Sequence, residues 1–408
     1  MAEKKKSKSG AETPEKTGRS VAMSKLRKMP RRFMGNNTLM LAVKGAVVVA
    51  ALFSLLMLAV VGADLRPSAV IQGAKNKYAF THATGDGFPV DIPGGKILGV
   101  SEVTKGTAVL TSTKCTIYDG KGREVTTATH SLSSPAMKSA GGYILLFHSM
   151  GEDYILRTLS GVACKGKVEN SIICADVSNA GVFAFVTTSD TNNARLLVCS
   201  PDGKIIHKWK SVDYKIADVA ISPSGEYIAL CGYSAKDGVL VSTVIIQQVG
   251  RRENLKEFDF KETLIADIQF DGNSRVVSVG DNLAAYVSVK NEDNTLYDYN
   301  GRTLNCYDLS RNGDLALVFS DHSDGRNSSV IVINDDCVEK AHIETAMTSP
   351  YVDLEGGRIN LLYQSGVSSY NYKGRLLNES DVQADCQSIF TSGGSLLARG
   401  VMYLSEIG

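Results

Sequence analysis

The chain has 408 residues, with 44 Lys and Arg against 43 Asp and Glu, and a single tryptophan, Trp209. That balance hides a division. Residues 1–44 hold twelve bases (Lys4 to Lys44) against Glu3, Glu12 and Glu15, whereas the rest of the chain is acidic. Such asymmetry excludes a uniformly basic nucleic-acid binder and points to membrane topology.

Residues 1–37 are rich in Lys, Ser, Glu, Thr and Pro, cannot bury apolar area, and are expected to form a disordered cytoplasmic tail. Residues 38–63 are expected to be one transmembrane helix. Its core, Gly45 to Ala63, is uncharged, and nineteen helical residues span nearly 30 Å, the thickness of the hydrocarbon core. Lys44 can snorkel to the headgroups, and the tail's other bases can rest on anionic lipid. Val61-Gly62-Ala63 has the small-residue pattern of a signal-peptidase site. The basic region before the apolar stretch, however, is far longer than a signal peptide's, so an uncleaved anchor is expected, amino terminus inside. The chain beyond the span is then extracytoplasmic.

After a linker over residues 64–77, residues 78–408 alternate strand-like runs with Gly, Asn and Asp turns and show no helical period. One unit recurs: a strand that is apolar or led by Asp, a polar turn with Gly, then a strongly apolar strand. Its turn glycines are Gly106, Gly142, Gly181, Gly225, Gly272, Gly313, Gly357 and Gly394, with a mean spacing of about 41 residues. A second class of turn, Tyr118 to Arg123, Ser200 to Lys204, Tyr299 to Arg302 and Tyr372 to Arg375, is expected to form tight hairpins. From Gly122 to Gly374 is six units of 42 residues.

Period and composition predict an all-β fold, a β-propeller of eight blades, with seven as the alternative. The last unit lacks an outer strand after Met402-Tyr403-Leu404. Tyr78-Ala79-Phe80 or Gly87 to Ile92 is expected to supply it and so close the ring. Paired β-sandwiches would explain the strands without the period.

The repeat length and these turns resemble the WD40-like and quinoprotein-like propeller superfamilies. The whole arrangement of basic tail, span and divergent propeller resembles an uncharacterised bacterial family of single-pass membrane-anchored propeller proteins, a domain of unknown function. The Gly-His and Trp-Asp signatures of WD40 repeats and the per-blade tryptophans of quinoproteins are absent, so the resemblance carries over no catalytic residue.

The sequence holds no phosphate loop, nucleophile elbow or zinc-protease helix. His82, His130, His148, His207, His322 and His342 are scattered without ligand spacing, and no metal or cofactor is expected. Asp321 to Gly325 is read as a solvated turn because it lacks the alternating oxygens of a calcium loop. Most of the eight cysteines sit within apolar strand runs, and free buried thiols are expected.

Asp176, Asp218, Asp267, Asp308 and Asp353 precede the same turn in successive units. Pointing inward they would form an anionic ring at the channel mouth; alternatively each fixes the packing of a neighbouring blade. The expected function is a non-enzymatic, membrane-tethered scaffold that binds a protein, peptide or envelope glycan. The alternatives are an extracytoplasmic hydrolase or lyase with acids at the channel mouth, and an envelope assembly or secretion factor.

Overall fold

The computed structural model describes residues 75, 77–320, 326–364 and 366–408. The expected tail and span, and the Asp321 to Gly325 turn, lie outside the described residues. Among the described residues, no helix is long and apolar enough to cross a membrane.

Within residues 90–408 the described chain forms eight antiparallel four-stranded sheets arranged as an eight-bladed propeller. In each blade the first strand lies innermost and the fourth outermost. Blade 1 comprises Gly99–Val103, Gly106–Leu110, Lys114–Asp119 and Glu124–Thr129. The innermost strands of blades 2 to 8 are Pro135–Ala140, Ile172–Val177, Lys215–Ile221, Ile265–Asp271, Thr303–Leu309, Tyr351–Glu355 and Ser388–Ser392.

The recurrent unit is the inner pair of strands. Second strands such as Gly106–Leu110 and Phe183–Thr187 are buried along their whole length because a neighbouring blade covers each face. That is why they read as unbroken apolar runs. The fourth strand of blade 1, Glu124–Thr129, carries only intermediate and exposed positions, as a rim strand should.

The buried clusters fall one to each pair of neighbouring blades. Blades 4 and 5, for example, share Cys231, Val244 and Ile246 with Ile265, Ile268 and Val287. The chain's two ends share Ile92, Ile97 and Tyr118 with Leu404. Sheets whose apolar flanks are covered in cyclic order leave no lateral surface uncovered, so the ring is closed.

Closure uses one of the two expected segments. Val90–Asp91 pairs antiparallel with Leu404 and Tyr403 as the outer strand of blade 8. Tyr78 to Phe80 lies in a helical turn over residues 77–81, not in a strand. Its Phe80 packs against the blade 1–2 cluster and stands 2.9 Å from where a Cβ on Gly106 would lie.

Three turn assignments are corrected. Gly106 opens a strand, and the positive φ of that hairpin belongs to Thr104 at 56°. In blade 2 it belongs to Gly141 at 55°, not Gly142. Tyr299 to Arg302 joins the outer strand of blade 5, Asn294–Asp298, to the inner strand of blade 6, so it is a blade connection rather than a hairpin within a blade. Asn300 and Gly301 make it tight, with φ of 54° and 79°, and buried Tyr299 packs edge-on to Phe319. Gly122 and Gly374 do occupy the same turn of blades 1 and 7, six blades apart.

Candidate functional site

Strand direction divides the turns between two faces. One face carries the hairpins between first and second strands and between third and fourth strands. The opposite face carries the turns between second and third strands and the connections between blades.

The five aspartates lie on the innermost strands but not in one register: Asp176 and Asp308 stand near the hairpin-face end, Asp218 and Asp353 at mid-strand, and Asp267 nearer the opposite end. Blades 3, 4, 5 and 6 each carry a β-bulge, after Ile172, Ile216, Ile265 and Leu304. The residue that follows the bulge is Cys174, Asp218, Asp267 and Cys306 in turn. Asp176 and Asp308 lie two residues further on, on the same side of the strand and nearer the hairpin face. Blade 7 has no bulge. Its Asp353 opposes Asn360 in the second strand, much as Asp308 opposes Ala316.

Four of the five carboxylates accept a backbone N–H from the next blade. Asp176 Oδ2 takes Ile221 N–H at 2.8 Å, Asp218 Oδ2 takes Ile268 N–H at 3.2 Å, and Asp308 Oδ2 takes Leu354 N–H at 2.7 Å. Asp353 Oδ1 takes Thr391 N–H at 2.5 Å, while its Oδ2 takes Thr391 Oγ1–H at 2.7 Å and Asn360 Nδ2–H at 2.9 Å. Asp267 instead accepts the Gln269 amide at 2.8 Å and lies beside the Tyr307 hydroxyl of blade 6. The recurrence therefore has an architectural use: a side chain of one inner strand tethers the backbone of the next.

Lys138 of blade 2 opposes Leu145 as Asp353 opposes Asn360, and so holds the same place with opposite charge. Burial alone would lower its ammonium, but Asp176, Asp218 and Asp267 outweigh this and raise it above its ordinary value. Lys138 is exposed by surface area, although protein surrounds it on most sides. Burial pushes the carboxyls of Asp176 and Asp218 up to about 6, against the pull of Lys138. Asp308 has no lysine beside it, and burial pushes it to about 7.

Across the mouth, Arg311 in the blade 6 hairpin donates from Nη2 to Glu102 of blade 1 at 2.5 Å and from Nη1 to Glu355 of blade 7 at 3.5 Å. Lys138, Asp176, Asn179, Ile221, Gln269 and Phe270 help to line a cavity of about 330 Å³ on the other side. Lys138 and the three nearest aspartates thus converge. Four of the five described histidines bond elsewhere: His130 at Thr111 O, His207 at Gln247, His342 at Glu344 and His82 at Tyr78 O. All eight cysteines are free thiols.

The face bearing the blade connections has a different chemistry. Leu98, Val212, Leu264 and Tyr351 flank the starts of inner strands. Met150, Leu240 and Met402 lie at or beside turns between second and third strands, and Met347 ends the outer strand of blade 6. All eight are exposed, Val212 to 67% and Met150 to 63%. The other large exposed apolar side chains, among the described residues, lie on outer strands, in the turn leading into one, or in the entry segment at Tyr78. No such residue flanks an innermost hairpin.

Lys138, Arg311 and this apolar set escape a reading of the sequence alone. Lys138 could have been found by aligning Met137 to Phe147 with the Asp-led units. The apolar set has no spacing of its own until blade register assigns each residue to a face.

Residues 99–402 match the family described as Family of unknown function (DUF5711), and the chain belongs to it. No curated protein matches in sequence. Two solved structures share the fold at low identity, and a third is similar over about half of this chain. BamB from Moraxella catarrhalis is 8% identical, with TM-score 0.50 over 78% of this chain and 99% of that one. A eukaryotic initiation factor is 10% identical, with TM-score 0.54 over 81% and 92%. The WD40 domain of Neurospora crassa Pan2 is 16% identical, with TM-score 0.42 over 54% and 71%.

Proposed function

We propose that this member of the DUF5711 family is a membrane-tethered, extracytoplasmic propeller that acts as a non-catalytic binding scaffold, with a partner protein on the face of the blade connections. One observation carries the reading: Leu98, Met150, Val212, Leu240, Leu264, Met347, Tyr351 and Met402 are exposed together on one face, while the inner hairpins of the other are polar. Exposed Met, Leu and Tyr gain most from burial against a protein surface, where flexible thioethers adapt to a partner's shape. A glycan would more commonly be met by stacked aromatic rings, and Trp209 packs partly buried against the blade 3–4 core. The tether rests on the basic flank and on the uncharged run from Gly45 to Ala63 within residues 38–63. An assembly or secretion role would be one use of such a scaffold.

The rival reading, a hydrolase or lyase at the acidic mouth, draws on Asp176, Asp218 and Asp308, whose carboxyls titrate near neutrality. Each of them already holds a backbone N–H of the next blade, which is a tether's use of a carboxylate.

The test is site-specific photo-crosslinking in cells. A crosslinker at Met150, Leu264 or Met402 is expected to give a discrete protein adduct, whereas one at Asn179 or Asn273 on the hairpin face gives none. Equal labelling from both faces, or none from the first three, would overturn the reading.

A further inference from the structure

The outer strand of blade 6, Glu339–Met347, runs for nine residues, and that of blade 7, Leu376–Asp381, for six. The overhang leaves a groove between the two blades that opens on the apolar face. Its volume is about 460 Å³, and Tyr363, Ser368 and Tyr370 line it from blade 7. Glu344, Glu379 and Asp381 stand along its rim, and no lysine, arginine or histidine lines it.

None of these acids is neutralised in the way acids elsewhere on the molecule are. Asp119, Asp153, Asp202, Asp259 and Asp314 each pair with a lysine or arginine. Glu379 instead meets the Ser368 hydroxyl at 3.3 Å, and Glu344 meets His342 Nε2 at 2.7 Å. Among the described side chains, no lysine or arginine pairs with Glu344, Glu379 or Asp381. Burial pushes the Tyr363 phenol up to about 12, so it stays a neutral donor and an uncharged ring face at physiological pH.

We infer that this groove seats a basic side chain from an extended segment of the partner protein, between the rings of Tyr363 and Tyr370 and the carboxylates of Glu379 and Asp381. The chemistry is complementary at three levels. Unshared carboxylates attract a cation and raise its encounter rate. Tyrosine faces accept a guanidinium or ammonium through their π electrons. Exposed Met347 and Tyr351 lie next along the face to hold the apolar residues that flank the cation. The inference rests on the scaffold reading above and specifies part of its partner.

The probe is a capped, fluorescent pentapeptide, Gly-Arg-Gly-Arg-Gly, with its twin in which glutamate replaces arginine. Each is titrated against the full chain in neutral detergent micelles at physiological salt. The arginine peptide is expected to bind saturably and its twin not at all. Glu379→Gln with Asp381→Asn is expected to weaken binding at least tenfold, and Tyr370→Leu several-fold. Asp190→Asn and Asp293→Asn, exposed acids outside the groove, should leave it unchanged. Equal loss in the control variants would mean diffuse charge attraction and overturn the site, as would no loss in the groove variants. A discrete crosslinked adduct at Met150, Leu264 and Met402 together with a groove indifferent to arginine would sink this inference and leave the scaffold standing. Absence of the adduct would sink the scaffold itself.

Discussion

The interface between blades 4 and 5 and the one between blades 7 and 8 solve the same problem differently. Between blades 4 and 5, Cys231, Val244, Ile246, Ile265, Val276 and Val287 interlock without exposure. Between blades 7 and 8 the buried apolar set shrinks to Leu362, Val367 and Ile389, with Leu396 and Ile407 partly covered. A polar relay takes over there. Ser369 Oγ donates to Asn360 Oδ1 at 2.6 Å, Asn360 donates to Asp353, and Asp353 accepts both Thr391 N–H and its hydroxyl. Asn360, Ser369 and Asp353 are all buried. Apolar packing is non-directional and tolerates sliding, whereas a connected relay has one register. At the end of the ring, where blade 8 must find a strand from the other end of the chain, register is what is scarce.

The largest effect should come from the closing strand. Val90→Pro with Ile92→Asp removes a pairing N–H and buries a charge among Ile97, Tyr118 and Leu404. It should cost roughly 5 kcal/mol and expose the amides of Tyr403–Glu406 to hydrogen exchange. Unchanged protection there would place closure elsewhere. Next, one chemical change can be made at both interfaces. Ile246→Ala should cost about 4 kcal/mol in urea unfolding and Ile389→Ala about 2 kcal/mol, because the thinner cluster loses fewer contacts. Equal costs would erase the contrast. Within the relay, Asp353→Ala strands three donors, one on buried Asn360 and two on half-buried Thr391, and should cost about 3 kcal/mol, while Thr391→Val, which removes one hydroxyl, should cost about 1 kcal/mol.

The smallest effect is on pH dependence. The folded-state carboxyls of Asp176, Asp218 and Asp308 sit at about 6, 6 and 7, above the ordinary aspartate value. The folded chain therefore binds protons more tightly than the unfolded chain between about pH 4 and 7, and stability should fall as pH rises through that window. Asp119 and Asp259 are shifted down, by hydrogen bonds and charge from Arg123 and Lys236 that outweigh their burial. Their contribution is present above the ordinary aspartate value and is lost below it, so stability should peak near pH 5. Asp308→Asn should flatten the upper limb in thermal scans, and a limb of unchanged slope would assign the titration to other groups.

The contrast also explains what could be read in advance. The second strands are legible because cover on both faces makes them continuous apolar runs, and with them the eight-fold period. Val90–Asp91 is legible as a strand-like segment without a blade. Gly106 and Gly142 mislead because a glycine near a turn need not be the residue with positive φ; Thr104 and Gly141 carry it. Tyr299 to Arg302 misleads because tight-turn chemistry does not say which two strands it joins. The aspartates are visible as a recurrence, but their partners are backbone amides of the next blade, which no side-chain pattern announces. Lys138 and Arg311 find their partners only through ring closure, which sets Arg311 of blade 6 against Glu102 of blade 1.

The division of labour between the two faces can be tested in one paired measurement of unfolding and partner capture. Asp308→Ala is predicted to lower the unfolding midpoint while leaving photo-crosslinking from Leu264 unchanged. Met150→Glu with Met402→Glu is predicted to abolish that crosslink with little change in the midpoint. The reverse pattern, capture lost with Asp308 and kept without the methionines, would contradict it and move recognition to the channel mouth.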